Sequence, residues 1–130
     1  MTLSVQLVSP ERILYEDDAT AVLCRSVGGG DVMFLTDHAP FIGALATWPV
    51  KITTESGDEQ WFAVHGGFVE VSNNNVTLLS DVAELADQVD VQRAERARDA
   101  ANDALRSDPE DLDAQAALDR AEVRIQVANP

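Results

Sequence analysis

The sequence predicts an all-β amino-terminal half followed by an α-helical hairpin, and three observations carry that class. Apolar and polar residues alternate in short runs from Leu3 to Leu79, turn residues separate the runs, and the hydrophobic period changes near Asp90. The expected architecture is a flattened β-sandwich or barrel of short strands over residues 1–86, then an antiparallel helical hairpin over residues 87–130.

Leu3, Val5 and Leu7 alternate with Ser4 and Gln6, the pattern of a half-buried strand. Ser9-Pro10-Glu11 interrupts it and Arg12–Tyr15 resumes. Thr20–Arg25 is the next run, closed by Gly28-Gly29-Gly30, and Val32–Leu35 and Phe41–Leu45 flank the turn His38-Ala39-Pro40. Val50–Thr53 and Gln60–Val64 enclose Ser56-Gly57-Asp58, a hairpin turn. Phe68–Val71 and Val76–Leu79 enclose Ser72-Asn73-Asn74-Asn75, where asparagine tolerates positive φ.

Beyond Asp90 there is no glycine and alanine is frequent. Ala94, Ala97, Ala101, Ala104 and Leu105 share a helical face, so a first helix is expected from about Val91 to Leu105. Ser107-Asp108-Pro109 stops it, with Asp108 expected to cap a second helix and Pro109 to occupy its first turn. That helix carries Ala114, Ala117, Leu118, Ala121 and Ile125 at helical spacing. Alanine stripes bury little apolar area, so the hairpin should be marginal by itself. Both a movable switch and a static cap are compatible with this.

The formal net charge of −14 argues against nucleic acid as a partner, because no basic stripe exists to collect phosphates. Arginine is concentrated at the end: residues 1–86 hold three cations against twelve acids, and residues 87–130 hold six arginines against eleven acids. Hydrophobic residues make up 45% and charged residues 25%, and every apolar run is too short to span a bilayer. The start, Met1-Thr2-Leu3-Ser4-Val5, has no basic region or apolar block of a secretion signal, and the lone Cys24 permits no internal disulfide, so a cytoplasmic protein is expected.

No catalytic constellation is legible. His38 could pair with Asp37, but neither a Gly-x-Ser-x-Gly elbow nor an activated cysteine accompanies them. Two distant histidines and one cysteine do not make a zinc spacing. Gly28-Gly29-Gly30 precedes a strand rather than a helix, so it is not a phosphate loop. Gly66-Gly67 lies between two strand runs, where a bulge or a close backbone approach is expected.

The order of motifs carries a resemblance. Gly30-Asp31-Val32-Met33-Phe34-Leu35-Thr36-Asp37-His38-Ala39-Pro40-Phe41, then Val64-His65-Gly66-Gly67-Phe68-Val69-Glu70-Val71, then Asn75-Val76-Thr77-Leu78-Leu79-Ser80-Asp81 resemble, in order, three segments of the epsilon subunit of bacterial F-type ATP synthase. Thr36-Asp37 stands where that family usually has Pro-Gly, and Met33 where glycine is common. The resemblance implies a non-catalytic rotor subunit of the central stalk, peripheral to the cytoplasmic face of the bacterial plasma membrane and associated with the membrane only through the complex. Its sandwich would bind the gamma subunit and the c-ring loops, coupling proton flow to ATP synthesis. A free-standing β-sandwich binding module with a dimerising helical tail is the alternative.

The same resemblance assigns residues. Asp31 stands where the family has an acid facing the c-ring loops, and His38 belongs to the same contact region. Arg93, Arg96, Arg98 and Arg106 suit an acidic segment of the catalytic beta subunits, or alpha, if the tail extends to inhibit hydrolysis. Some relatives bind ATP on the folded hairpin through Ile/Leu-Asp-x-x-Arg-Ala. Val89-Asp90-Val91-Gln92-Arg93-Ala94 matches that motif with valine first, Glu84 lies six residues before Asp90, and Arg120 and Arg124 share one helical face. Arginines clamp phosphates and the acids order them or accept from an adenine amine. MgATP would then be a regulatory ligand rather than a required cofactor; the simpler reading has Asp90 capping the first helix.

Overall fold

The computed structural model describes residues 2–130. In chain order these form β1 (Leu3–Val8), β2 (Ile13–Ser26), β3 (Gly30–Phe34), β4 (Phe41–Thr54), β5 (Glu59–Ser72), β6 (Asn75–Leu79) and β7 (Ala83–Leu85). A 3-10 turn at Ala86–Gln88 leads to α1 (Val91–Ser107) and α2 (Leu112–Ala128). The sheet runs β1-β6-β5-β4-β2-β3, and β1 also pairs with β2, which closes the ring into a flattened barrel. β1 and β6 are parallel; the other pairings are antiparallel. Closure leaves little unpaired edge.

Several expected short strands are in fact halves of long ones. β2, β4 and β5 each have 14 residues, so Phe41–Leu45 and Val50–Thr53 are one strand, as are Gln60–Val64 and Phe68–Val71. The physical reason lies in the phase of their core residues. In β5 the residues buried in the barrel core are Phe62 and Val64 before the glycines and Val69 and Val71 after them, a switch from even to odd. β4 switches in the same place, from Leu45 to Val50 and Ile52, and β2 from Ala19 to Val22 and Cys24. Each long strand therefore serves both layers of the sandwich and turns a corner between them. A break in period-two alternation looks like a strand end in sequence.

The corner in β5 depends on glycine. Gly66 and Gly67 have φ of 84° and 127°, and pairing with β4 keeps one register across them, from Leu45↔Gly67 to Thr47↔His65. Of the two expectations for this pair, close approach is the one realised: a Cβ on Gly67 would lie 1.9 Å from the Leu79 carbonyl oxygen. In β2 the corner coincides with a register shift between Ala19 and Ala21. A second shift, between Leu23 and Ser26, leaves β4 unpaired with β2 around Pro49. A residue without an N–H is tolerated there.

The core inside the barrel contains Leu3, Val5, Leu7, Val22, Phe34, Ile52, Phe62, Val64 and Leu78, all essentially inaccessible to water. Cys24 lies in the same core, and burial together with the nearby Asp31 carboxylate pushes its thiol up to about 11. The helices add a second, much smaller core: Val123 and Val127 of α2 pack on Ala63 of β5, flanked by Trp61 and Ala86. α2 rests on β4 and β5, and α1 rests on α2. Of the predicted alanine stripe on α1, Ala94 and Ala101 are buried, whereas Ala97 is exposed.

The inter-helix turn differs from expectation. Asp108 is the C-cap of α1, its backbone N–H donating to Ala104 O, and its side chain accepts from Glu110 N at 3.1 Å. The N-cap of α2 is Asp111, whose carboxylate accepts from Ala114 N at 3.0 Å. Pro109 thus lies in the loop before the helix. Asp-Pro-Glu-Asp offers two acidic caps three residues apart, and the packing of Ala114 and Ala121 selects the later one.

Candidate functional site

Most of the expected nucleotide residues converge where α2 meets the sheet and α1 packs on α2. Glu84 on β7 pairs in register with Ala63 of β5, which places it under α2. Arg124 Nε of α2 donates to Glu84 Oε1 at 2.7 Å, an ion pair spanning 40 residues of sequence. His65 Nε2 lies 3.2 Å from the same oxygen. Burial raises the Glu84 pKa, but the hydrogen bonds from Arg124 and His65 outweigh it and hold the carboxyl below its ordinary value. Burial lowers His65, opposed by its Glu84 hydrogen bond and reinforced by the Arg124 and Arg120 charges.

A cleft of about 310 Å³ opens beside this cluster, lined by Glu84, Gln88, Asp90, Arg93, Ala94, Ala97 and Arg124. That volume sits near the lower end of the ~300–1,000 Å³ usual for ligand sites. Asp90 caps α1, accepting from Arg93 N at 3.1 Å, as the simpler sequence reading has it. Five of the seven expected residues line the cleft; Val89 and Arg120 do not. Arg93 and Arg120 make no ion pair among the described residues, and both are exposed. Two guanidiniums, two carboxylates and small alanine side chains on one wall suit a phosphorylated ligand with a flat base.

Asp31 and His38 are not brought together, since they lie at and beyond opposite ends of β3. Asp31 faces Arg25 across β2 and β3, and Arg25 Nε donates to its Oδ1 at 2.9 Å. The Arg25 guanidinium also lies 3.5 Å from the centroid of the Trp48 ring. His38 meets the Phe34 ring edge-on at 4.9 Å, and its Nδ1 is 2.7 Å from Ala39 O. Its surroundings are those of a turn histidine.

On α1, Arg98 pairs with Asp99 at 3.3 Å and Arg106 with Asp103 at 2.6 Å, while Arg93 and Arg96 are exposed. α1 holds four arginines against Glu95, Asp99 and Asp103, so the helix itself is net positive although the tail is acidic. Elsewhere, the outer face of β4, β5 and β6 exposes Ile42 (74%), Phe68 (57%) and Leu79 (42%) side by side. Contiguous exposed side chains of this kind mark an interaction surface.

Comparison with known proteins shows the family. A profile of the family described as ATP synthase, Delta/Epsilon chain, beta-sandwich domain matches residues 2–86. An ATP synthase epsilon chain of Streptomyces griseus is 40% identical over 95% of this chain and 93% of its own length. The chain belongs to the ATP synthase epsilon-chain family. A Brevibacillus brevis epsilon chain is 39% identical over 85% of this chain and 83% of its own. Among solved structures, a chain of the Euglena gracilis mitochondrial ATP synthase (OSCP, F1 and c-ring) superposes with a TM-score of 0.84 at 19% identity. It covers 98% of this chain and 81% of that one, and shows the shared fold.

Epsilon chains are accessory subunits and not themselves catalytic, consistent with the resemblance read from the sequence. Sequence reasoning gave His65 no role beyond being one of two distant histidines. One signal was present: Trp61, Ala63 and His65 alternate on the face of β5 opposite Phe62 and Val64. That α2 covers this face could not be read locally.

Proposed function

We propose that this epsilon chain is a central-stalk subunit of a proton-translocating F-type ATP synthase whose sandwich binds gamma and the c-ring loops and whose hairpin regulates ATP hydrolysis. One observation carries the regulatory part. The hairpin is docked through a small apolar contact, Val123 and Val127 on Ala63, together with the Glu84–Arg124 ion pair, rather than through a large core. An element held this lightly detaches at low cost, and a ligand that prefers the docked state shifts its position.

The apolar face of Ile42, Phe68 and Leu79 supports attachment to another subunit. Asp31, at the β2–β3 hairpin, is the residue proposed to meet a basic c-ring loop, with Arg25 orienting it meanwhile. Asp31→Asn should weaken attachment to the c-ring in a reconstituted complex; unchanged binding and coupling would contradict this. Arg93, Arg96, Arg98 and Arg106 are proposed to meet acidic segments of the beta subunits when the tail extends. Their helix is net positive, which favours that contact.

MgATP is the ligand proposed for the hairpin cleft, with Arg93 and Arg124 at the phosphates, Arg120 nearby, and Glu84 and Asp90 ordering the arginines. The nucleotide would supply the anionic charge that draws both helices against β7, stabilising the docked hairpin by RT ln(1 + [L]/Kd). Calorimetry of the isolated chain should show heat on adding MgATP, and none at millimolar nucleotide would remove this part. The decisive experiment compares ATP hydrolysis by the whole complex with and without residues 88–130. Faster hydrolysis on truncation is expected, and an unchanged rate would sink the regulatory reading.

A further inference from the structure

The seam between β5, β7 and α2 contains a titratable group with no part in nucleotide binding. His65 belongs to the row Trp61, Ala63, His65 that α2 covers, and its side chain is only 4% exposed. Glu84 Oε1 receives Arg124 Nε at 2.7 Å and lies 3.2 Å from His65 Nε2. A carboxylate held ionised has only acceptors, so the ring proton of neutral His65 resides on Nε2. Nδ1 is buried without a hydrogen-bond partner among the described residues. A second ring proton would have to occupy Nδ1, where it meets no acceptor.

We propose that His65, Glu84 and Arg124 form an acid-released latch, in which neutral His65 lets α2 dock on the sandwich and protonated His65 favours its release. The charged groups facing the ring are Glu84 from β7 and Arg124 and Arg120 from α2. β4 contributes the uncharged Thr47, the registered partner of His65. Burial and both guanidiniums oppose the imidazolium, and Glu84 alone favours it. Release of α2 removes both guanidiniums and admits water while Glu84 stays beside the ring on β7, so the ring returns at least to its ordinary value of ~6.5. The proton thus binds the released hairpin more tightly than the docked one.

The docked-state pKa of His65 lies below the released-state value. Docking is therefore at full strength above pH ~6.5, weakens as pH falls through it, and levels off below the docked pKa. One proton changes the docking constant by at most about tenfold per pH unit in that window. Glu84 stays ionised throughout it, because its own pKa is depressed. The latch requires neither nucleotide nor the other subunits, so it stands or falls separately from the functional reading above.

Hydrogen exchange of the isolated full chain tests it. Protection of the Val123 and Val127 amides, relative to Val69 and Val76 in the sandwich, would be followed from pH 7.5 to 5.5 with intrinsic rates removed. Wild type should lose up to about tenfold in relative protection per pH unit below ~6.5. H65Q should be flat, because the amide keeps a donor for Glu84 and does not titrate. A flat wild-type profile, or an H65Q profile with the wild-type slope, overturns the latch. Should H65Q fail to dock at all, the wild-type ring titration by NMR decides, and a His65 midpoint at or above ~6.5 overturns the proposal.

Discussion

Asp37 and Asn74 hold each other across two turns: Asp37 N donates to Asn74 Oδ1 at 2.6 Å, and Asn74 Nδ2 donates to Asp37 Oδ1 at 3.3 Å. Asp37 has φ of 64°, a left-handed conformation that suits glycine, as the resemblance to Pro-Gly at Thr36-Asp37 implies. Asn74, itself at φ 61°, supplies the hydrogen bond that stabilises the exception. Asn74→Ala should cost about 1–2 kcal/mol in denaturant unfolding. Asp37→Gly should remain within about 0.5 kcal/mol of wild type, since relief of the left-handed backbone offsets the lost side-chain bond. A larger loss in Asp37→Gly than in Asn74→Ala would contradict this account.

Gly67→Ala should be among the most damaging single-methyl additions, because the new Cβ would meet the Leu79 carbonyl at 1.9 Å and backbone cannot move aside. A loss of about 3 kcal/mol or more is expected. Gly57→Ala is the control: its φ is 92° but nothing lies within 4 Å. Only left-handed strain of about 1–2 kcal/mol applies there. Thermal unfolding of the two variants should separate them clearly.

The capping of α2 gives a second contrast. Asp111→Ala removes the acceptor for Ala114 N and should lower stability of the hairpin by about 1 kcal/mol. Asp108→Ala removes only a turn bond to Glu110 N and should cost less than half as much. Exchange rates of the first α2 amides report the difference, and the reverse order would restore Asp108 as the cap.

Arg124→Gln or Glu84→Gln should loosen α2 by about 2 kcal/mol, as both side chains are less than a third exposed and their bond is charge-assisted. The Glu84 contribution has its own pH window. Its pKa is depressed in the folded state, so its stabilisation is present above the ordinary carboxyl value of ~4.3 and is lost as pH falls below that through the folded pKa. Exchange of α2 amides in Glu84→Gln should accordingly lack the acid dependence expected of wild type beneath pH ~4.3.

Local pattern was enough for the class of each half and for several details. The change of period at Asp90 located α1, which begins at Val91, and the turns at Ser56-Gly57-Asp58 and Asn73-Asn74 lie where the residues called for them. Asp90 was legible as a cap because capping involves only neighbours. Strand continuity was not legible, since β2, β4 and β5 change their buried phase at the barrel corners. Nor was the choice of Asp111 over Asp108, which α2 packing decides.

The sequence by itself determined a β half, a helical half, their junction and the residue types available for charge chemistry, because hydrophobic period and capping act over a few residues. Only the tertiary structure decided which charges meet. Asp31 finds Arg25 because β2 and β3 pair in one register, and Glu84 gathers His65 and Arg124 because β7 pairs with β5 and α2 rests on β5 beside it. Such contacts bridge up to 40 residues of chain and depend on how the ring closes and where the helix lands, which no local window contains.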